Sequence, residues 1–239
     1  MRPRLPGIYD ALRGSFLHPQ WLTDRLHARS RRLLKPLRDA VILDVGSGDS
    51  DNAPYVHGSN VLIRLDYPRT NKSYRLRPDL FADARHLPVA DRSMDVVLLF
   101  EVLEHVWPNS TVLPEIRRVL RRNGTLYLSV PFLYPVHDAP NDFHRFTIHG
   151  IRLHLEHSGF RVVLERQHGN SLLVPVQLMN LALLEGCRAL WNRSRWLGYA
   201  AMLAAYPLCL INNLLALPMT LLPDRGAGCF GYLVVAERK

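Results

Sequence analysis

The chain has 239 residues, enough to bury a full core, and 48% of them are hydrophobic, which excludes a disordered or purely extended protein. Lys and Arg number 30 against 21 Asp and Glu, a formal charge of +9, and residues 1–40 alone hold nine of the basic residues against three acids. The three cysteines, Cys187, Cys209 and Cys229, lie far apart, which argues against a disulfide framework; with no C-x-x-C pair or Cys/His cluster at ligand spacing, no metal site is expected.

Residues 8–38 are predicted to be mainly helical, with Leu12, Phe16, Trp21, Leu22, Leu26, Leu33 and Leu34 inward and Pro36 ending the run. No apolar run follows the basic N-terminus, so a cleaved signal peptide is not expected. Val41-Ile42-Leu43-Asp44-Val45 reads as a buried parallel strand entering a tight turn at Gly46-Ser47-Gly48. Strands are also predicted at 61–65, 80–82 and 95–100, ending at Asp66, Asp83 and Glu101. Val112, Leu113, Ile116, Val119 and Leu120 recur at helical spacing, with Arg117, Arg118, Arg121 and Arg122 opposite and Asn123-Gly124 as the helix stop. A strand at 125–130 closes at Pro131, and Thr147 caps a helix that buries Ile148, Ile151 and Leu155 and stops at Gly159. Strands at 160–164 and 233–236 complete the series. This alternation predicts an α/β fold, a doubly wound, mostly parallel seven-stranded sheet with helices on both faces.

Four regions follow: a basic helical lead (1–40), a Rossmann-like domain (41–167), an apolar helical insert (168–229) and the last strand (230–239). Positions 196–223 carry no charge, a run of 28 where about 20 span a bilayer core. Pro207, Asn212, Asn213 and Pro218 are expected to interrupt it. Arg188, Arg193 and Arg195, with Trp191 and Trp196 among them, suit a lipid headgroup boundary. A helical hairpin dipping into one leaflet, a lid over a greasy acceptor and an ordinary packed subdomain all satisfy this pattern.

Ligands of open α/β sheets bind beyond the carboxyl ends of the strands, where this chain places Asp44, Asp66, Asp83 and Glu101. Gly46 and Gly48 allow close approach to the backbone, and Asp66 follows Asp44 at the spacing of an acid that hydrogen-bonds adenosine ribose hydroxyls. These residues resemble class I S-adenosylmethionine-dependent methyltransferases of the type 11 kind. The run 41–48 looks like the family's first motif, with Asp44, Gly46 and Gly48 in it, and Asp66 matches its ribose-binding acid. Phe81-Ala82-Asp83-Ala84 looks like the adenine-binding segment, and Phe100-Glu101-Val102-Leu103-Glu104-His105-Val106 like the segment closing over the methionine portion. The resemblance implies S-adenosylmethionine as cofactor. The third small residue of the turn is Ser50 here, the one hint of a binding protein that has lost turnover. A nicotinamide enzyme would need glycine at Asp51, whose charge would repel a pyrophosphate.

The stretch 131–147 follows the fifth strand and is dense in His and Asp. Its His137 and His144 are candidate bases for a hydroxyl acceptor, and Arg145 is a candidate for holding an anionic part of it; His105 is a third basic candidate, with packing the readier role. The stretch is similar to a Y-P-x-H-x-x-P-x-D-x-x-R-x-T loop of bacterial methyltransferases encoded among surface-glycan genes. That implies a small, lipid-linked or saccharide acceptor, O-methylation, and a cytoplasmic site at the inner membrane face with peripheral contact through 168–229. Nucleic acid is disfavoured, because Glu101-Val102-Leu103-Glu104 stands where base methylases carry Asn/Asp-Pro-Pro-aromatic.

Overall fold

The computed structural model describes residues 11–48, 52–68, 74, 76–222 and 228–239. The readings made on Ser50, Asp51 and residues 8–10 therefore lie outside the described residues. The chain divides into two compact units: one joins the N-terminal stretch through Arg29 to His168–Phe230, the other comprises Ser30–Gln167 and Gly231–Lys239.

The second unit is built on one seven-stranded sheet: β1 (Val41–Val45), β2 (Val61–Asp66), β3 (Leu80–Phe81), β4 (Met94–Phe100), β5 (Leu120–Pro131), β6 (Phe160–His168) and β7 (Gly231–Arg238). Their order is β3-β2-β1-β4-β5-β7-β6, with β1 to β5 parallel and β7 antiparallel to β5. Ile42, Leu43, Val97, Leu98, Leu99, Leu126 and Leu128 are fully buried, as near-continuous apolar runs in a sheet covered on both faces require. Register aligns the carboxyl ends: Val45 pairs with Leu65, Asp66 with Phe81 and Phe100 with Ser129.

Helix α2 (Val112–Val119) buries Val112, Leu113, Ile116 and Val119. Its Arg118 then bonds Glu115, Asp91 and the carbonyls of Leu87 and Val89, tying down the run that leads into β4. Asn123-Gly124 is not the helix stop. The chain is extended from Leu120, and the pair forms an irregularity within β5, where the register to β4 shifts between Met94 and Val96 and Asn123 takes φ +62. In α3 (Ile148–His157), Thr147 Oγ1 accepts from Gly150 N at 3.1 Å, and Ile151 and Leu155 are buried. Between β1 and β2 the described residues hold only a 3-10 turn, Ala53–Tyr55.

In the first unit, the predicted helix over 8–38 is interrupted: Ala11 is helical, turns and bends occupy residues 12–20, and α1 spans Trp21–Arg31. Gly14 at φ +85 and Pro19 lie in the interruption. The 3-10 turn that follows α1, Arg32–Leu34, belongs to the other unit. The insert forms two long helices, α4 (Leu173–Arg193) and α5 (Arg195–Met219), separated by Ser194. α5 runs unbroken through Pro207 and Asn212-Asn213. The asparagines are ties rather than breaks: Asn180 Nδ2 donates to Asn213 Oδ1 at 2.9 Å and Asn212 Nδ2 to Asn180 Oδ1 at 2.8 Å. Asn213 Nδ2 also reaches the carbonyl of Phe16 at 2.7 Å, fastening the N-terminal turns to the hairpin.

Candidate active site

The turn after β1 is set by its glycines. Gly46 has φ +72, and a Cβ there would sit 2.3 Å from a methyl of Val102, so glycine is required by both conformation and packing. Gly48 has φ +51, and a Cβ there would meet no atom of the described residues nearer than 3.9 Å. The Leu65 carbonyl accepts from Gly46 N and Ser47 N, bracing the turn against β2. Ser47 is buried and its hydroxyl has no hydrogen-bond partner among the described residues.

Each strand-end acid sits in a different environment. Asp44 is buried and accepts from Asn52 Nδ2 at 2.8 Å; burial, only partly offset by that bond and by Arg31 and Arg64, pushes its carboxyl up to about 6. Asp66 accepts from Tyr67 N and the Tyr74 hydroxyl, both at 2.8 Å. Asp83 is clasped by Arg85, which holds its carboxyl below the ordinary range against a smaller opposing effect of burial; Ala84 beside it is buried. Glu101 takes φ +55 and accepts from Ser129 Oγ at 2.7 Å. Asn52, Tyr74 and Arg85 went unrecognised in the sequence; only Arg85, two residues from its acid, left a local signal.

The loop 131–147 folds against the 3-10 turn Leu103–His105. Phe143 N donates to the Glu104 carbonyl at 2.9 Å, and His105 Nδ1 meets the Asn141 carbonyl at 2.5 Å. This juxtaposes Glu104, His105 and His137: Glu104 Oε1 lies 3.7 Å from His105 Nε2 and 4.0 Å from His137 Nε2. The Glu104 side chain is 0% exposed. Burial, then the charge of Glu101, drives its carboxyl well above the ordinary value, while burial lowers His105. Glu104 was not singled out from the sequence.

Arg145 is not free to hold an acceptor. Nε donates to the Tyr134 carbonyl, Nη1 to Asp142 Oδ1 and the His144 carbonyl, and Nη2 to Asp142 Oδ2 and the Pro135 carbonyl, so all five donors stay within the loop. Burial alone would raise Asp142, but the Arg145 bonds, the His137 N–H and the neighbouring charges hold its carboxyl at about 2. His144 packs its ring between Trp107 and Phe146, and burial lowers its pKa. Of the residues singled out in this loop, His137 is the one brought to Glu104.

Residues 43–128 match the family described as "Methyltransferase domain". A relative from Mycolicibacterium smegmatis, named "Probable S-adenosylmethionine-dependent methyltransferase", is 30% identical over 157 residues, 55% of this chain and 61% of that protein. Residues 43–128 thus resemble a methyltransferase domain, and the relatives that share them are named as S-adenosylmethionine-dependent. The chain spans less than two thirds of the length of the curated relatives it matches. Among solved structures, the cyclase SpnF has a TM-score of 0.57 at 17% identity, covering 90% of this chain and 80% of that one. The Burkholderia thailandensis 1,6-didemethyltoxoflavin-N1-methyltransferase, with S-adenosylhomocysteine bound, has a TM-score of 0.52 at 15% identity, covering 100% of this chain and 92% of that one. These likenesses place the methyltransferase domain in the class I fold; a cyclase on the same fold shows that the sheet alone does not fix the reaction.

Proposed function

We propose that this chain transfers a methyl group from S-adenosylmethionine to the hydroxyl of a small acceptor, lipid-linked or saccharide, at the inner face of the membrane. The observation that carries the reading is the row of strand-end groups beside an open glycine turn. Among the described residues, nothing fills the space beside Gly48 and the buried Ser47 hydroxyl has no hydrogen-bond partner, and Asp66 presents a carboxylate one strand away. These features suit a nucleoside whose ribose hydroxyls replace the Tyr74 hydroxyl on Asp66, with Asp83 and Ala84 toward the base and Glu101 toward the amino acid portion. The cofactor supplies a methyl group already activated by its sulfonium. The protein's share is alignment, which supplies up to ~7–11 kcal/mol in ideal cases, and acceptance of the acceptor's proton. The basic groups gathered beside the strand ends for that purpose are Glu104, His105 and His137.

Membrane contact is supported by the insert. Both α4 and α5 are long and apolar enough to cross a bilayer by length and composition, and Trp196, Leu203, Leu215 and Leu221 expose most of their surface. Arg188, Arg193 and Arg195 stand around Ser194, where an anionic headgroup layer would meet them. The test is methyl transfer from labelled S-adenosylmethionine into fractionated lipid and saccharide extracts. Label in an ether linkage of either fraction supports the reading, whereas label only on nitrogen or in nucleic acid ends it.

A further inference from the structure

We propose that Glu104, His105 and His137 form a binding site for a divalent first-row metal ion, of the two-imidazole, one-carboxylate type that takes Zn²⁺. The three offer ligand atoms that lie within 4.8 Å of one another. Glu104 is the decisive member. Its side chain is 0% exposed, and neither carboxylate oxygen accepts a hydrogen bond from any other described residue. An ionised carboxyl this desolvated is costly to bury, and a bound cation offsets that cost.

The imidazoles face it in the orientation that ligation needs. His105 Nδ1 points at the Asn141 carbonyl, an acceptor, so that nitrogen carries the hydrogen and Nε2 turns a lone pair toward Glu104. His137 Nδ1 lies 3.2 Å from the Pro135 carbonyl, 3.3 Å from Asp142 Oδ2 and 3.3 Å from the donor Arg145 Nη2, and its Nε2 turns toward Glu104 as well. A carbonyl or carboxylate behind each ligating histidine is the outer-shell arrangement that fixes tautomer and ring plane in metal sites. Two imidazole nitrogens and a carboxyl oxygen converge on this one space. Two ligands that each stand about 2.1 Å from a shared tetrahedral Zn²⁺ are about 3.4 Å apart, so the gaps of 3.7 and 4.0 Å would close by about 0.3–0.6 Å on binding.

His105 and His137 are 22% and 23% exposed, so the ion would keep a coordination position open toward solvent. In that role the inference rests on the proposed methyl transfer: an acceptor hydroxyl entering there ionises more readily, its proton passing to solvent. His137 would then serve as a ligand and not as a free base. The site itself does not depend on that reading.

Metal-stripped full-length protein is titrated with Zn²⁺ by calorimetry and with Co²⁺ by visible absorption. One equivalent of each is expected, with Co²⁺ bands of a low-coordinate nitrogen–oxygen site. His137→Gln and Glu104→Gln each weaken Zn²⁺ binding by about 100-fold or more, because losing a ligand exceeds the about 10–100-fold cost of losing an outer-shell partner; His57→Gln leaves binding intact. His137 lies on a partly exposed loop, so its variant stays informative if the Glu104 variant fails to fold. Absence of Zn²⁺ binding, or binding indifferent to both variants, overturns the site. Parallel titration with S-adenosylhomocysteine reports on the cofactor reading by itself, so the two failures are distinguishable.

Discussion

Replacing Arg145 by Met separates a loop clamp from an acceptor-binding residue. The guanidinium makes five hydrogen bonds to its own loop, two of them to Asp142, whose side chain is 1% exposed. The methionine variant would leave that carboxylate buried without its counter-ion, a change that costs about 3–5 kcal/mol. Arg145 itself is 24% exposed, so the lower figure applies. A loss of about 3 kcal/mol lowers the melting temperature by roughly 6–12 °C in a chain of this size. Removing the orphaned charge too, in Asp142→Asn with Arg145→Met, should recover about 2 kcal/mol of that loss by thermal or urea denaturation. The reasoning is refuted if Arg145→Met melts like the parent and only the KM for acceptor rises, since the guanidinium would then reach the acceptor and not the loop.

Asp44 gives a pH signature of opposite sign to most carboxylates. Its folded-state value of about 6 lies above the ordinary 3.8, so the folded chain binds the extra proton between them and stability falls as pH rises from about 4 to about 6, by up to about 3 kcal/mol. Urea denaturation across that window should show this slope, and Asp44→Asn should flatten it. Gly46→Ala forces φ +72 on alanine and a methyl into Val102, so a loss of about 2–4 kcal/mol is expected, with Val102→Ala restoring only the packing part. Gly48→Ala meets no such clash; it should cost about 1 kcal/mol in stability, while calorimetry shows S-adenosylhomocysteine binding impaired by the methyl in the open space. Leu203→Glu and Leu215→Glu, both on the exposed face of α5, should each cut binding to anionic vesicles at least about tenfold in a flotation assay; unchanged flotation would remove the membrane reading.

The sheet was legible because buried parallel strands announce themselves: the runs at 41–45 and 94–100 have almost no polar interruption, and each ends in an acid or a glycine turn. Helices α2 and α3 were equally plain from apolar spacing and, for α3, its threonine cap. What escaped depended on partners remote in sequence. Asn123-Gly124 has the composition of a helix stop, but pairing with β4 decides that the chain is already extended there. Asn212 and Asn213 looked like breaks until Asn180, 32 and 33 residues away, supplied their bonds. The positions of the strand-end acids could be read because each closes an apolar run. The surroundings of Arg145 and Glu104 could not, because only the packing of loop 131–147 on the turn at 103–105 shows that one is saturated and that the other's carboxylate has no hydrogen-bond partner among the described residues.

The central claim is that the strand ends of β1 and β2 hold S-adenosylmethionine through the open turn and the Asp66 carboxylate. Calorimetric titration of the full chain with S-adenosylhomocysteine, beside Asp66→Ala, tests it most directly. One site on the parent, abolished in the variant while its circular dichroism is unchanged, is the predicted result; a parent that binds nothing at saturating ligand, or a variant that binds equally well, would contradict it.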